Sequence, residues 1–394
     1  MKILLANYLY KPNIGGVENS LFYISKELIK LGHRPIILVT DLNQFDRNSR
    51  LPYFERIDGI EIFRIKTLSN KFPLRSIIGS VFLIVKGIIE IRKLDRRFHF
   101  AIAISRDYKL LIGLKFILKK IKIAYILPAI VKKQDSDFSN TKNSIKNLIR
   151  HIFVNLQHES LQNFAIKLAD KNFVFSQNMY DYVNGLAHKK LVKIPPGIDK
   201  NVFKPVEISE KNRLRAILNL NKSDFLVLFL GRFTKVKGLN IAVDAFKKIH
   251  NMKIKLLLVG EGPEKIYLQS QIQKNKLENI IIHPQTNNPE YYYQCCDLFL
   301  MSSLYESFGQ TLLEASLCHL PTLAFSGSEI NTATIEILGN NAIYCKNEPF
   351  DLGEKIKEIY LNYEESLKIE FKSIEQKYSW TNFTNELLME LIGK

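Results

Sequence analysis

Short apolar runs alternate with amphipathic stretches along almost the whole chain. The first run (KILLA, 2–6) reads as a buried strand. It is followed, after a turn holding Gly15 and Gly16, by helical spacing over 17–31 and by a second strand within LGHRPIILVT. Further strands are predicted over 59–66, 100–104, 121–127 and 172–175, with helical stretches between them. Beyond residue 205 the same punctuation returns, with strands over 225–230, 254–259, 279–282, 297–301, 321–325 and 342–345. Continuous apolar runs mark strands covered on both faces, and their alternation with helices marks parallel, doubly wound sheets. The fold class is therefore α/β, with two Rossmann-like sheets.

The segment LVKIPPGIDKNVFKP (191–205) joins a strand to a proline-glycine break and an extended crossing, which makes it the best linker in the chain. It divides the sequence into a first domain over 1–195, a hinge over 196–205, a second domain over 206–377 and a final helix over 378–394.

Composition narrows the class. With 394 residues and 46% hydrophobic content the chain can bury two cores and is not disordered. No apolar run reaches the ~18 residues of a membrane helix; the longest, 77–91, is broken by Lys86 and Glu90. The opening strand is too short for a signal-peptide core, so the expected location is the cytoplasm. Cys295, Cys296, Cys318 and Cys345 fit neither a zinc spacing nor a disulfide framework and read as reduced core residues.

The net charge of +17 is unevenly spread: residues 1–205 hold 35 Lys/Arg against 16 Asp/Glu, and residues 206–394 hold 21 against 23. Two stretches of the first half carry the excess on amphipathic patterns, 77–97 with Arg92, Lys93, Arg96 and Arg97, and 110–122 with Lys115, Lys119, Lys120 and Lys122. Such helices suit an anionic bilayer, so the expected location sharpens to the inner face of a membrane; nucleic acid is the competing anionic partner suggested by charge alone.

The chemistry concentrates in the second half. In SSLYESFGQTLLEA (302–315), Glu306 lies at a strand-to-helix turn and Glu314 inside the helix. The eight steps between them span at most about 12 Å at ~1.5 Å each, near the length of a ligand with a sugar at one end and a ribose at the other. Ser307, Phe308 and Gly309 would place backbone N–H groups at the helix N-terminus, where an anion such as diphosphate is favoured. Upstream, GRFTKVKG (231–238) puts Gly231, Arg232 and Lys237 between a strand end and a helix start. Fixed cations at that place stabilise the charge that grows on a departing diphosphate. The pair Asp135 and Asp137 is formally a D-x-D metal motif, but it follows a polar Lys-Lys-Gln segment rather than an apolar strand. No metal site is expected.

Together GGVE (15–18), the 195–205 crossing, GRFTKVKG and the E-x7-E stretch resemble the retaining glycosyltransferases of family 4, and the resemblance covers most of the chain. It implies the GT-B architecture of two facing Rossmann-like domains, with the last helix crossing back to the first. It further implies that Glu306 meets donor-sugar hydroxyls, Glu314 the ribose, and Arg232 and Lys237 the leaving diphosphate, so that Arg232, Lys237 and Glu306 form the catalytic set. Gly15, Gly16, Gly231, Ser307, Phe308 and Gly309 would join Glu314 in holding the donor.

The implied reaction moves a sugar from a nucleoside diphosphate, UDP above all, to a hydroxyl of a membrane-lipid-linked saccharide in cell-surface polysaccharide synthesis, without a metal or other cofactor. Three departures bear on sugar specificity and first-domain contacts: no histidine stands near Leu127-Pro128, His319 replaces a usual glycine, and 327–330 reads GSEI for Gly-Gly-x-x-Glu. Two other classes stay open. A nucleotide-sugar epimerase would share the fold and need no acceptor, and a basic nucleic-acid-binding protein would show salt-sensitive binding.

Overall fold

The computed structural model describes residues 1–393 apart from 14, 47, 69–74, 132–144, 188–189, 250–251, 329 and 368–370. The D-x-D pair Asp135 and Asp137 lies outside the described residues. The chain divides into two compact units, Met1–Gly197 with Trp380–Lys394, and Ile198–Ser379.

The first unit is built on one sheet containing β1 (Lys2–Ala6), β2 (Arg34–Thr40), β3 (Phe54–Ile57), β4 (Ile60–Ile65), β5 (Ile102–Ser105), β6 (Lys122–Ile126), β7 (Lys171–Val174) and β8 (Leu191–Lys193). Their order is β3-β4-β2-β1-β5-β6-β7-β8, parallel throughout except for the β3–β4 pair. β1 is apolar and almost wholly buried, with helix Gly16–Lys30 turning back after it. The strand order reverses at β1, which lies between β2 and β5. In open α/β sheets ligands bind outside the carboxyl ends of the strands at such a switch point.

Trp380–Ile392 belongs to this unit. Trp380 stacks on Tyr23 at 5.7 Å between ring centroids, Thr381 donates to Glu27 at 2.8 Å, and Lys171 pairs with Glu390 at 2.7 Å. The final helix thus opens at Trp380, two residues later than the sequence suggests; Tyr378 lies in the second unit.

The two basic stretches turn out differently. Helix Arg75–Phe98 is a continuous amphipathic helix, whereas the second stretch is helical only over Tyr108–Ile117. Lys119 and Lys120 lie in the turn beyond it and Lys122 opens β6. Lys115 binds both carboxylate oxygens of Asp170 at 2.7 Å, so its charge is already engaged.

The second unit holds the parallel sheet β11-β10-β9-β12-β13-β14, made of β9 (Phe225–Leu230), β10 (Ile254–Val259), β11 (Ile280–His283), β12 (Leu298–Met301), β13 (Thr322–Phe325) and β14 (Ile343–Cys345). Its core packs Val227, Leu256, Leu258, Leu300 and Leu323 against helices Leu239–Phe246 and Pro349–Leu361. Below β9, Asp297 accepts bonds from Lys211 and Arg215 at 2.6 Å each and from the Leu226 N–H at 2.7 Å, a buried charged latch between helix Ile208–Ile217 and the strands. All four cysteines are buried and free. The reversal of strand order in this sheet falls between β9 and β12.

Candidate active site

The loops that leave β9 and β12 flank the second unit's switch point, and they carry the basic and acidic motifs respectively. Gly231 to Gly238 leaves β9, makes a single 3-10 turn at Lys235–Lys237, and enters helix Leu239–Phe246. Gly238 is left-handed (φ 63°), and a Cβ there would run into the Ser302 carbonyl, so this position needs glycine for both reasons.

The two loops are stitched together. Ser302 Oγ donates to the Lys237 carbonyl at 2.8 Å and the Leu304 N–H to the Val236 carbonyl at 2.8 Å, while the Glu306 N–H is held by the Asn331 carbonyl of the segment after β13, at 3.1 Å. A third loop supports the first: the Phe233 N–H donates to Glu261 and the Glu264 N–H to Phe233, at 2.8 and 3.1 Å. Gly260 and Gly262 allow that approach, since a side chain at either would strike the backbone of Gly231 or Phe233.

The stitching puts Lys237 Nζ in an ion pair with Glu306 Oε2, both side chains mostly buried. Arg232 is exposed, with no ion pair among the described residues. Helix Gln310–Leu317 then starts after the left-handed Gly309 (φ 91°) and carries Glu314 one face further on. Tyr293 donates to Glu314 Oε2 at 2.8 Å. Burial, reinforced by the nearby Glu290, pushes the Glu314 carboxyl up to about 7, while the Tyr293 bond works against the rise. Phe308 is buried and packs edge-on to Tyr378 at 6.0 Å, so its side chain is a core element and only its backbone is available to a ligand.

Arg232, Lys237, Glu306 and Glu314, with Gly231, Ser307, Phe308 and Gly309, are thus all carried by loops and a helix at the end of one sheet. Gly15 and Gly16 belong to the first unit, where Gly15 precedes helix Gly16–Lys30 in extended conformation and the space beside Gly16 is open. The partner of Glu314, Tyr293, had no signal in the local sequence because it lies in a different helix, Pro289–Cys295. Among the described residues no group of three or more His, Cys, Asp or Glu could hold a metal. His319 stands in left-handed conformation (φ 54°), which accounts for the glycine usual at this place, and its ring stacks on Phe371 at 5.0 Å.

Residues 210–376, covering most of this unit, match the model of the family described as glycosyl transferases group 1. The chain is a glycosyltransferase whose second unit matches this family's model. It is 26% identical over 387 residues to an uncharacterized glycosyltransferase of Methanocaldococcus jannaschii, covering 96% of this chain and 95% of the relative. It is 24% identical over 367 residues to the alpha-monoglucosyldiacylglycerol synthase of Acholeplasma laidlawii, covering 88% and 86% of the two chains. Among solved structures, Anabaena HepE in complex with UDP and glucose superposes with a TM-score of 0.75 at 20% identity, over 100% of both chains. The glycosyltransferase has the GT-B fold, and neither the epimerase nor the nucleic-acid reading is favoured by its relatives.

Proposed function

We propose that this glycosyltransferase moves a sugar from a UDP-sugar to a hydroxyl of a lipid-linked saccharide, with retention of anomeric configuration, in cell-surface polysaccharide synthesis. The observation that carries the donor half is the convergence of Arg232, Lys237, Glu306 and Glu314 on one switch point. Arg232 and Lys237 take the diphosphate, and their fixed charges favour the transition state in which that group departs. Lys237 then exchanges part of its bond with Glu306 for phosphate oxygens, freeing the carboxylate for donor-sugar hydroxyls. Glu314 accepts from the ribose. Backbone groups of Gly231, Ser307, Phe308 and Gly309 complete the donor site, and the Gly15-Gly16 loop serves the substrates from the first unit. Cations fill the role a divalent metal has elsewhere, so the reaction runs without one. HepE, whose structure holds UDP and glucose, supports the choice of nucleotide.

The acceptor half rests on the first unit's charge and on helix Arg75–Phe98. Its outward positions begin with Ile78, Val81, Val85 and Ile89, each 41–56% exposed, and end with exposed Arg92, Lys93, Arg96 and Arg97. An exposed apolar stripe continuing into cations suits the inner surface of an anionic membrane, where a lipid-linked acceptor resides. No helix among the described residues is long and apolar enough to cross a membrane. The Acholeplasma relative is named for a glucosylated diacylglycerol, which supports a lipid-borne acceptor.

The test is a thermal-shift panel of nucleotide sugars followed by transfer to a membrane-extracted acceptor, with the product's anomeric configuration read by NMR. Stabilisation by a UDP-sugar and an α-linked product from an α-donor are expected. Conversion of donor to its epimer without acceptor would contradict the proposal.

A further inference from the structure

Helix Arg75–Phe98 does not stand alone on the surface of the first unit. Its Glu90 accepts from the Tyr53 hydroxyl at 2.9 Å, and Tyr53 directly precedes β3, the edge strand of the first sheet. Phe54 opens that strand and pairs in register with Phe63 of β4. The Tyr53 and Phe54 rings lie 6.0 and 5.1 Å from the Phe63 ring, which in turn meets Phe98 at 5.9 Å, so both sit on the face of the sheet that the helix covers. Tyr53 and Phe54 are nonetheless 52 and 44% exposed. They flank the helix instead of lying beneath it.

The helix supplies the rest of the surface. Exposed Ile78, Val81, Val85 and Ile89 recur at helical spacing and share one stripe, which Arg92 and Arg96 continue. Exposed Lys86, Lys93 and Arg97 share the neighbouring stripe with Glu90, the residue that holds Tyr53. Cations therefore stand between the apolar stripe and the aromatic pair, and from residue 78 onward the helix carries five of them against Glu90 and Asp95. A cationic surplus between two apolar arms complements a layer with an anionic outer plane and a hydrocarbon interior. Rings with a polar tip, like that of Tyr53, favour the boundary between the two. A second copy of the chain pairing on the free edge of β3 is opposed by the strand itself, which is four residues long with Glu55 and Arg56 at its middle.

We infer that Tyr53 and Phe54 form a second membrane anchor of the first unit, entering the headgroup boundary of an anionic bilayer beside helix Arg75–Phe98. The inference rests on the membrane reading proposed for that helix. A helix held on a bilayer by one stripe is free to roll about its axis, whereas a second contact at its side fixes how the unit lies on the surface.

Full-length wild type, Phe54→Trp and the double variant Tyr53→Ser/Phe54→Ser are titrated with vesicles of equal parts phosphatidylglycerol and phosphatidylcholine, with and without lipids brominated near the top of the acyl chain. Trp380, the sole native tryptophan, is 6% exposed and supplies the background signal in wild type. Emission from Phe54→Trp should move to shorter wavelength on binding and be quenched by the brominated lipid, while wild-type emission stays unchanged. The double variant should partition at least about tenfold more weakly, because two rings no longer leave water. Wild-type partition together with an unquenched Phe54→Trp, or with a double variant that binds equally, overturns the inference and leaves the helix as the membrane contact. No partition by wild type removes the membrane reading and the inference with it. An emission shift in Phe54→Trp that follows protein concentration without vesicles assigns this face to a second copy of the chain and also overturns the inference. If the double variant does not fold, the quenching of Phe54→Trp, which keeps an aromatic ring in place, decides alone.

Discussion

Replacing Glu314 by Gln separates the stability of the donor site from its affinity. The carboxyl is raised from 4.5 to about 7, chiefly by burial. Between those values the native state keeps a proton that the unfolded chain has released, so the wild type loses stability as pH rises through this window and carries the full deficit above it. At ~1.36 kcal/mol per unit the deficit is at most roughly 3 kcal/mol. Gln cannot ionise but still accepts the Tyr293 hydroxyl, so it removes the deficit while keeping the local bond. Thermal unfolding at pH 8 should show the variant melting up to about 10 °C higher, at ~2–4 °C per kcal/mol, and near pH 4.5 the two proteins should melt almost together. Calorimetric titration with UDP at pH 8 should show the opposite ranking. Loss of a charged acceptor for ribose hydroxyls weakens UDP by on the order of 10-fold or more. Equal or lower melting of the variant at pH 8, or unchanged UDP affinity, would refute the reasoning.

The latch at Asp297 makes a second case: Arg215→Ala leaves a buried carboxylate short of one partner and should cost about 3–5 kcal/mol in denaturant unfolding, with a loss under 1 kcal/mol contradicting that picture. On the proposal that side-chain cations rather than a metal meet the diphosphate, chelator should leave transfer largely intact; an absolute requirement for Mg²⁺ or Mn²⁺ would reverse this. Replacing Arg92, Lys93, Arg96 and Arg97 by Gln should reduce co-sedimentation with anionic vesicles, as each surface cation contributes roughly 1 kcal/mol, and equal sedimentation of mutant and wild type would remove the membrane role.

Much of the architecture is legible because parallel strands covered on both faces are written as uninterrupted apolar runs: β1, β9 and β10 appear in the sequence with the bounds the structure gives them. β3 is not legible, since FERI is a half-exposed edge strand with two adjacent charges, Glu55 and Arg56, in place of an apolar run. The 110–122 stretch misleads because apolar periodicity persists through Leu118 into β6, although the helix has ended at Ile117. The motifs proposed for the donor are local, each a few residues between a strand and a helix, so their resemblance to the family's motifs can be read directly from the sequence. Contacts between distant segments leave no such trace. Tyr293 reaches Glu314 from a separate helix, and Tyr53 meets Glu90 from 37 residues away in the chain. Gly260 and Gly262 are visible as a G-x-G, but their role in packing against Gly231 and Phe233 is a matter of tertiary approach.

The central claim is that Arg232 and Lys237 stabilise the departing diphosphate, and the most direct measurement is kcat/KM with a UDP-sugar donor for Arg232→Ala and Lys237→Ala. Each should fall by on the order of 100-fold or more with little change in melting temperature, as expected when a preorganised charge is removed from the leaving group. Either variant retaining activity within threefold of wild type, with normal melting, would contradict the account.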